Sequence, residues 1–126
     1  MCPQKNRGGT LKETVLWTNP NPSSAMGATN ITLSPSLSGF KYIKVIYRMS
    51  TSDSRTCAVI MSYADFANTS TSTFRLAMEA FEPNGHFVRL INRNSDTSIN
   101  FEIAYQVGNT STRTTAVIPQ QVIGLK

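Results

Sequence analysis

Three short segments with two-residue alternation, all within Thr71–Val107, constrain the fold more than any other feature of the sequence. Phe74–Phe81, His86–Arg93 and Ile99–Val107 are predicted β-strands. Pro83-Asn84-Gly85 joins the first two, because proline presets φ and Asn-Gly accepts the positive φ of a tight hairpin. An antiparallel meander of this kind is not stable alone, so the rest of the chain must supply a second layer.

The last of these segments has the clearest pattern. Its apolar set, which we expect on the core face, is Ile99, Phe101, Ile103, Tyr105 and Val107. Its alternate set, which we expect toward water, is Asn100, Glu102, Ala104 and Gln106. The period of two therefore predicts one half-buried strand over this whole segment.

The remaining sequence has the same character, with eight or nine short strands in total and turn-forming residues every few positions. Further predicted strands are Glu13–Thr18, a short one around Ile31, Lys41–Met49, Thr56–Tyr63, Arg113–Ile118 and Gln120–Leu125, the last two separated at Pro119, and a single helical turn is expected after Ala64. The chain is 40% hydrophobic and only 15% charged, which suits β-structure and argues against a helical bundle. We predict an all-β fold, a single antiparallel, jelly-roll-like β-sandwich over residues 13–126, preceded by a flexible basic leader or linker at residues 1–12.

Apolar residues on the outward faces of two predicted strands suggest self-association. In Lys41–Met49 the core set is Ile43, Val45, Tyr47 and Met49, and the other face carries Tyr42, Lys44, Ile46 and Arg48. We expect Tyr42, Ile46, Phe87 and Ile91 to form an exposed patch that a symmetric interface would cover. The prediction is a homo-oligomer, specifically a trimer.

Charge and cysteine content limit the classes of partner. The formal charge is +5, but three of the basic residues, Lys5, Arg7 and Lys12, lie in the first twelve positions, so the balance is weak evidence for nucleic-acid binding. Cys2 and Cys57 are expected to be free thiols. From the charge distribution we predict no nucleic-acid partner. We find neither a signal peptide nor a run that approaches the about 18 apolar residues of a membrane span, so we also predict no membrane insertion.

Residues that could carry catalysis or bind a metal are sparse. His86 is the only histidine and has no nucleophile motif beside it. Asp53, Asp65 and Asp96 lie in separate loops, and Glu79 and Glu82 point to opposite faces of one strand. We therefore predict a non-enzymatic protein without catalytic residues, cofactor or metal.

A binding role fits the polar loops and the low charge, because sugars offer hydroxyls and apolar C–H faces to such groups. The candidate glycan contacts are Trp17, Tyr63, Asn68 and Asn109. Trp17, the only tryptophan, has two interpretations: a core or sheet-edge anchor, or a sugar-stacking platform that needs an exposed indole.

Three stretches together carry a family resemblance. They are Thr14-Val15-Leu16-Trp17-Thr18-Asn19 before a Pro/Ser loop, Tyr42-Ile43-Lys44-Val45-Ile46-Tyr47-Arg48 after Gly39-Phe40, and the closing Val117-Ile118-Pro119-Gln120-Gln121-Val122-Ile123-Gly124-Leu125-Lys126. Their layout resembles the C-terminal domains of phage and prophage tail fibre or minor tail structural proteins.

That resemblance implies a β-sandwich tip, often trimeric, that helps a tail organelle attach to a host-surface receptor, commonly a polysaccharide. It also implies other tail proteins as partners and a place in the virion after assembly in the bacterial cytoplasm. Two alternatives remain: a monomeric bacterial carbohydrate-binding or adhesin module, and a small jelly-roll polysaccharide hydrolase or lyase that uses loop acids.

Overall fold

The computed structural model describes residues 12–68, 76–109 and 111–126, and these form nine strands with two short helical turns. The elements are β1 (Glu13–Thr18), β2 (Thr29–Thr32), a 3-10 turn (Leu37–Gly39), β3 (Tyr42–Ser50), β4 (Thr56–Ser62), α1 (Tyr63–Phe66), β5 (Leu76–Glu82), β6 (Gly85–Ser95), β7 (Ser98–Phe101), β8 (Tyr105–Gln106) and β9 (Ala116–Leu125). Among these residues, no helix is both long and apolar enough to cross a bilayer.

The strands make two antiparallel sheets that pack together, which confirms the predicted β-sandwich. Sheet A has the order β1-β9-β3-β4, and sheet B has the order β2-β7-β6-β5 with β8 also paired to β6. Alternation along β3 is as predicted, since Ile43, Val45, Tyr47 and Met49 are all buried between the sheets. The chain changes sheet after β1, β2, β4 and β8, so each sheet is built from distant parts of the sequence.

Strand β9 lies in the centre of sheet A and contains Pro119, so the predicted break at this proline is wrong. Proline lacks an N–H for the ladder and is tolerated in sheets mainly at edges and bulges. Here the pairing with β3 shifts register between Ile46 and Tyr47, opposite the proline. The buried Asn19 completes the bulge, because its Nδ2 donates to the Pro119 carbonyl at 2.7 Å and its N–H donates to the Gln120 carbonyl at 2.8 Å.

The expected single strand Ile99–Val107 is also wrong, because it divides into β7 and β8. Ala104, between them, is fully buried and Val107, after β8, is exposed, opposite to the prediction. The cause is the backbone of Glu102, whose carbonyl accepts a hydrogen bond from Arg89 and whose N–H donates to the Leu90 carbonyl at 2.9 Å. The alternation therefore changes face within residues 102–104.

Arg89 on β6 has no exposed surface and no carboxylate partner in the described chain, and its guanidinium donates to five backbone carbonyls. The acceptors are Val117 at 2.6 Å, Glu102 at 2.8 Å, Met26 at 2.9 Å, Ala116 at 3.1 Å and Gly27 at 3.4 Å. Burial lowers the pKa of Arg89 to about 10, so the group is still charged at neutral pH. Arg89 thus joins β6, the loop before β2 and the start of β9.

Phe87 and Ile91 share the face of β6 that carries Arg89, and that face points toward sheet A. Phe87 is 3% exposed and Ile91 is 0% exposed, so the expectation that they face outward is wrong. Tyr42 is exposed and Ile46 is partly exposed, both on the outer side of β3.

The exposed apolar residues of sheet A share its outer side. Strand register places Ile60 opposite Lys44, Lys44 opposite Ile123, and Ile123 opposite Val15. Val15 and Ile60 are exposed there beside Tyr42 and Ile46, around the buried Lys44 and its ion pair with Glu13. We call Val15, Tyr42, Ile46 and Ile60 the outer apolar face.

Cys57 on β4 is disulfide-bonded, so the expectation of two free thiols is wrong. The other cysteine of the sequence, Cys2, lies outside the described residues.

Candidate polar binding cleft

A cleft of about 530 Å³ lies where the β3–β4 turn, the β5–β6 hairpin and the segment before β9 meet. Its lining is dominated by hydroxyl, amide and charged groups, with one aromatic ring. The lining residues are Ser50, Thr51, Ser52, Asp53, Ser54, Glu82, Asn84, Phe87, Arg113, Thr115 and Ala116.

The β3–β4 turn is shaped by its own short polar side chains. Ser50 Oγ accepts the Ser52 N–H at 3.3 Å, and Asp53 Oδ1 accepts the Arg55 N–H at 3.1 Å. Such contacts two residues apart replace backbone ladder bonds and favour turns. The Thr51 N–H donates to the Thr115 carbonyl at 2.9 Å, which fixes the base of the turn to the segment before β9.

The β5–β6 hairpin supplies the second wall. Gly85 has a φ of 153°, a value that residues with a side chain seldom adopt. Gln106 Nε2 donates to the Asn84 carbonyl at 3.1 Å, and Gln106 Oε1 accepts from Arg113 Nη2 at 3.2 Å. This bridge places the Arg113 guanidinium carbon 6.0 Å from the centre of the Phe87 ring.

Two carboxyl groups, one from each wall, meet at Arg55. Arg55 Nη2 lies 2.6 Å from Asp53 Oδ2 and 3.6 Å from Glu82 Oε2. The Glu82 side chain is 13% exposed, whereas that of Arg55 is 72% exposed. Glu82 Oε1 is buried and has no hydrogen-bond partner among the described residues.

The two acids have opposite pKa shifts. Burial raises the pKa of Glu82 most, and the charge of Asp53 raises it further. The charge of Arg55 opposes both, and a hydrogen bond with Asp53 makes the smallest contribution, also upward. Hydrogen bonds from the Arg55 side chain and backbone lower the pKa of Asp53 to about 2. Asp53 is therefore the ionised member of the pair, and Glu82 is the member that holds a proton more readily.

Chemically, the cleft can donate and accept hydrogen bonds with a neutral polar ligand. Serine and threonine hydroxyls do both, the amide of Asn84 does both, and the carboxylate of Asp53 accepts. Within the three described ranges, no group of three or more His, Cys, Asp or Glu side chains is arranged to hold a metal ion.

The aromatic candidates for glycan contact lie elsewhere in the fold. Trp17 on β1 is partly buried against the core, with its ring centre 5.5 Å from that of Phe101. Tyr63 begins α1, and its hydroxyl donates to Asp96 at 2.9 Å. Trp17 has the contacts of a core anchor, and neither ring lines the cleft.

The two asparagine candidates are on separate loops. Asn68 follows α1, where its N–H donates to the Asp65 carbonyl at 3.2 Å. Asn109 lies after β8, and its Oδ1 accepts the Ser111 N–H at 3.0 Å. The described lining of the cleft includes neither, so the four predicted contacts do not converge there.

An aromatic and charged cluster covers the outer side of the β5–β6 hairpin. The rings of Phe81 and His86 stack with centres 4.2 Å apart, and His86 Nε2 lies 3.0 Å from Glu79 Oε1. Phe81 is 69% exposed. His86 thus pairs with a surface carboxylate, and it is not among the residues that line the cleft.

The proximity of Asp53 and Glu82 was not predicted from the sequence, because the two acids lie in different segments of the chain. A usable signal was present, since both acids sit at the ends of predicted hairpins. When hairpins from two sheets end at the same edge of a sandwich, their turn residues become neighbours.

No protein-family model matches this chain, and no curated protein matches it either.

Proposed function

We propose that this domain binds a hydroxyl-rich glycan in the cleft between the β3–β4 turn and the β5–β6 hairpin, as the receptor-attachment tip of a phage-type tail. The observation that carries the proposal is the lining of the cleft, where side-chain hydroxyls, an amide and carboxyl groups predominate. The sequence resemblance to tail-protein tips supplies the setting.

The chemistry of the lining suits sugars better than apolar ligands. Each sugar hydroxyl is both a donor and an acceptor, as are the hydroxyls of Ser50, Thr51, Ser52 and Ser54. The volume of about 530 Å³ lies within the range of roughly 300–1,000 Å³ for small-ligand sites.

The carboxyl pair supports a binding role over glycoside hydrolysis. Glycosidases hold two carboxyl groups about 5–9.5 Å apart, so that the scissile bond or a water molecule fits between them. Asp53 and Glu82 instead share one cation, since Arg55 Nη2 lies 2.6 Å from Asp53 Oδ2 and 3.6 Å from Glu82 Oε2, so a guanidinium is held where a scissile bond or a water molecule would have to fit. We therefore propose a non-enzymatic module.

For assembly, we propose that copies of this chain associate as a trimer through the outer apolar face, and that other tail proteins join the assembly. Val15 is 48% exposed and Ile60 is 55% exposed, and register places both on one side of sheet A. Light scattering on the full chain tests this: a trimer supports the tail-tip setting, and a monomer favours the alternative of a carbohydrate-binding or adhesin module.

Binding is tested on an array of bacterial surface polysaccharides and their oligosaccharide repeats, followed by calorimetry on the strongest ligand. The double variant Ser54→Ala, Asn84→Ala removes two exposed cleft side chains, and no side-chain hydrogen bond of either to a described residue is lost. We expect at least a tenfold loss of affinity with unchanged thermal stability.

The matched control is Asn21→Ala, an exposed asparagine outside the cleft, which should bind as the wild type does. Absence of binding to every polysaccharide, or equal loss in the control and the double variant, would overturn the proposed function.

A further inference from the structure

We propose that Asp53 and Glu82 share one proton, and that this proton holds the β3–β4 turn against the β5–β6 hairpin, so that the shape of the cleft depends on pH. The proton sharing does not depend on what the cleft binds. Its effect on glycan affinity rests on the function proposed above.

The first argument is the unpartnered oxygen of Glu82. Glu82 Oε1 is buried, and leaving a buried acceptor without a partner costs about 1–3 kcal/mol, more if it is charged. Two carboxyl groups can be hydrogen-bonded to each other only if one of them carries a proton. A proton on Glu82 removes the cost of the unpartnered oxygen and also allows the hydrogen bond, because the protonated carboxyl can donate to the neighbouring Asp53 carboxylate.

The second argument is the distribution of positive charge. Arg55 makes three close contacts with the Asp53 carboxylate, at 2.6, 3.0 and 3.1 Å, but it reaches Glu82 only at 3.6 Å. The single charge of Arg55 is thus committed to Asp53. Glu82 has only the longer contact with this cation, and burial together with the charge of Asp53 favours its neutral form.

The other charged groups around the hairpin have partners of their own. Arg113, across the cleft, donates to Gln106 and lies over the Phe87 ring. On the outer side of the hairpin, Glu79 and His86 pair with each other. Asp53, Arg55 and Glu82 therefore form the titrating unit at this wall of the cleft.

Raising the pH removes the shared proton and leaves two like charges between the turn and the hairpin. The base of the turn is held by the Thr51–Thr115 hydrogen bond and by Arg48, which donates to the carbonyls of Ser50 at 2.7 Å and Thr51 at 3.0 Å. Repulsion therefore moves the tip of the turn around Asp53, and the cleft loses its shape. Ligand affinity should fall as pH rises.

The proton is measured directly by carbon-detected NMR titration of the Glu82 side-chain carboxyl in the full chain, without ligand. We expect titration above the ordinary glutamate value of about 4.3 in the wild type. Asp53→Asn should lower it, because the amide removes the negative charge and can donate to Glu82. Asp65→Asn, which changes an exposed acid on α1, is the matched control and should leave Glu82 unchanged.

Titration of Glu82 at the ordinary value in the wild type, or an identical value in Asp53→Asn, would overturn the shared proton. The effect on the cleft is read from Glu82→Gln, whose amide donates at every pH. Wild-type affinity should fall by about tenfold for each unit that separates the pKa of Glu82 in the closed and open turn, whereas the variant should show no pH dependence. If Glu82 titrates above the ordinary value as expected but no glycan binds at any pH, the proposed function is refuted and the shared proton stands.

Discussion

Arg89 at the centre of the sandwich and Glu82 at the cleft are both ionisable groups removed from water, but their surroundings differ. Arg89 has no exposed surface, and its guanidinium donates to five carbonyls. Glu82 shares an exposed arginine with a second acid and keeps one buried oxygen without a partner. The first group is fully satisfied by backbone, whereas the second depends on a proton.

This difference separates a group that stabilises the fold at every pH near neutrality from a group whose charge changes with pH. A buried charge whose hydrogen bonds are all met holds its surroundings in one arrangement. A buried acid that lacks a partner responds to pH, because burial disfavours its charged form and the group becomes neutral by binding a proton. We therefore expect changes at Arg89 to act on the whole fold and changes at Glu82 to act locally.

The largest expected effect is at Arg89. Arg89→Met should destabilise the domain by more than about 3 kcal/mol, because five carbonyls lose their donor in the interior. Arg89→Lys should be only partly better, since an ammonium has three donors and no planar fork. Urea unfolding measures both, with Arg48→Met as the control that removes only two carbonyl contacts. Equal losses for Arg48→Met and Arg89→Met would remove the contrast on which this comparison depends.

Next comes a test of packing without charge, on β9 in sheet A. Gly124→Ala would place a Cβ 2.5 Å from a ring carbon of Phe40, so the buried ring must move. We expect a loss of about 1–3 kcal/mol. Gly39→Ala meets no atom within 4 Å and should change the free energy of unfolding by less than about 0.5 kcal/mol. If the two variants unfold alike, the interior around Phe40 is looser than the structure implies.

The pH dependence of stability tests Glu82 with a smaller effect. Because its pKa is raised in the folded state, its contribution is fully present below the unfolded value and is lost as pH rises through the folded value. Each unit of difference corresponds to about 1.4 kcal/mol. Glu82→Gln should therefore flatten the fall in melting temperature above about pH 4.3.

At the acid end, the lowered pKa of Asp53 predicts loss of stability as pH falls toward about 2, and Glu82→Gln should not remove that loss. A variant that follows the wild-type melting curve at every pH would show that Glu82 titrates alike in the folded and unfolded chains.

The smallest expected effect is at a carboxylate that accepts hydrogen bonds from two side chains. Asp96 accepts from Arg93 and from the Tyr63 hydroxyl, each at 2.9 Å. Tyr63→Phe removes one of these hydrogen bonds and should cost about 0.5–1.5 kcal/mol, measured by urea unfolding. Glycan affinity should not change; a strong loss of affinity at unchanged stability would move the binding site toward α1.

The repetitive parts of the fold could be predicted from sequence, and the exceptions have physical causes. The bounds of β1 and the inward set of β3 are as predicted, because side-chain alternation and burial agree in both. The outward placement of Phe87 and Ile91 failed because Arg89 lies between them on a face that therefore reads as polar. No local pattern shows that an arginine will find five carbonyls from three distant segments.

The cleft was not predicted, for a related reason. Its polar turns were identified as turns, but which turns become neighbours depends on the order of strands in two sheets. Pro119 illustrates the same limit, since it interrupts the sequence pattern of a strand yet sits in a bulge at the centre of sheet A.

The central position of β9 has a consequence for how the protein is made. Sheet A cannot assemble outward from β1, because β1 pairs only with Ala116–Leu125, and β3, although paired with β4 on one edge, needs the same late strand on its other edge. A ribosome must release nearly the whole domain before these strands can pair, and such non-local closure is slow. Until then their unpaired edges are open to other chains, so yield in the host should depend on protection of the nascent polypeptide.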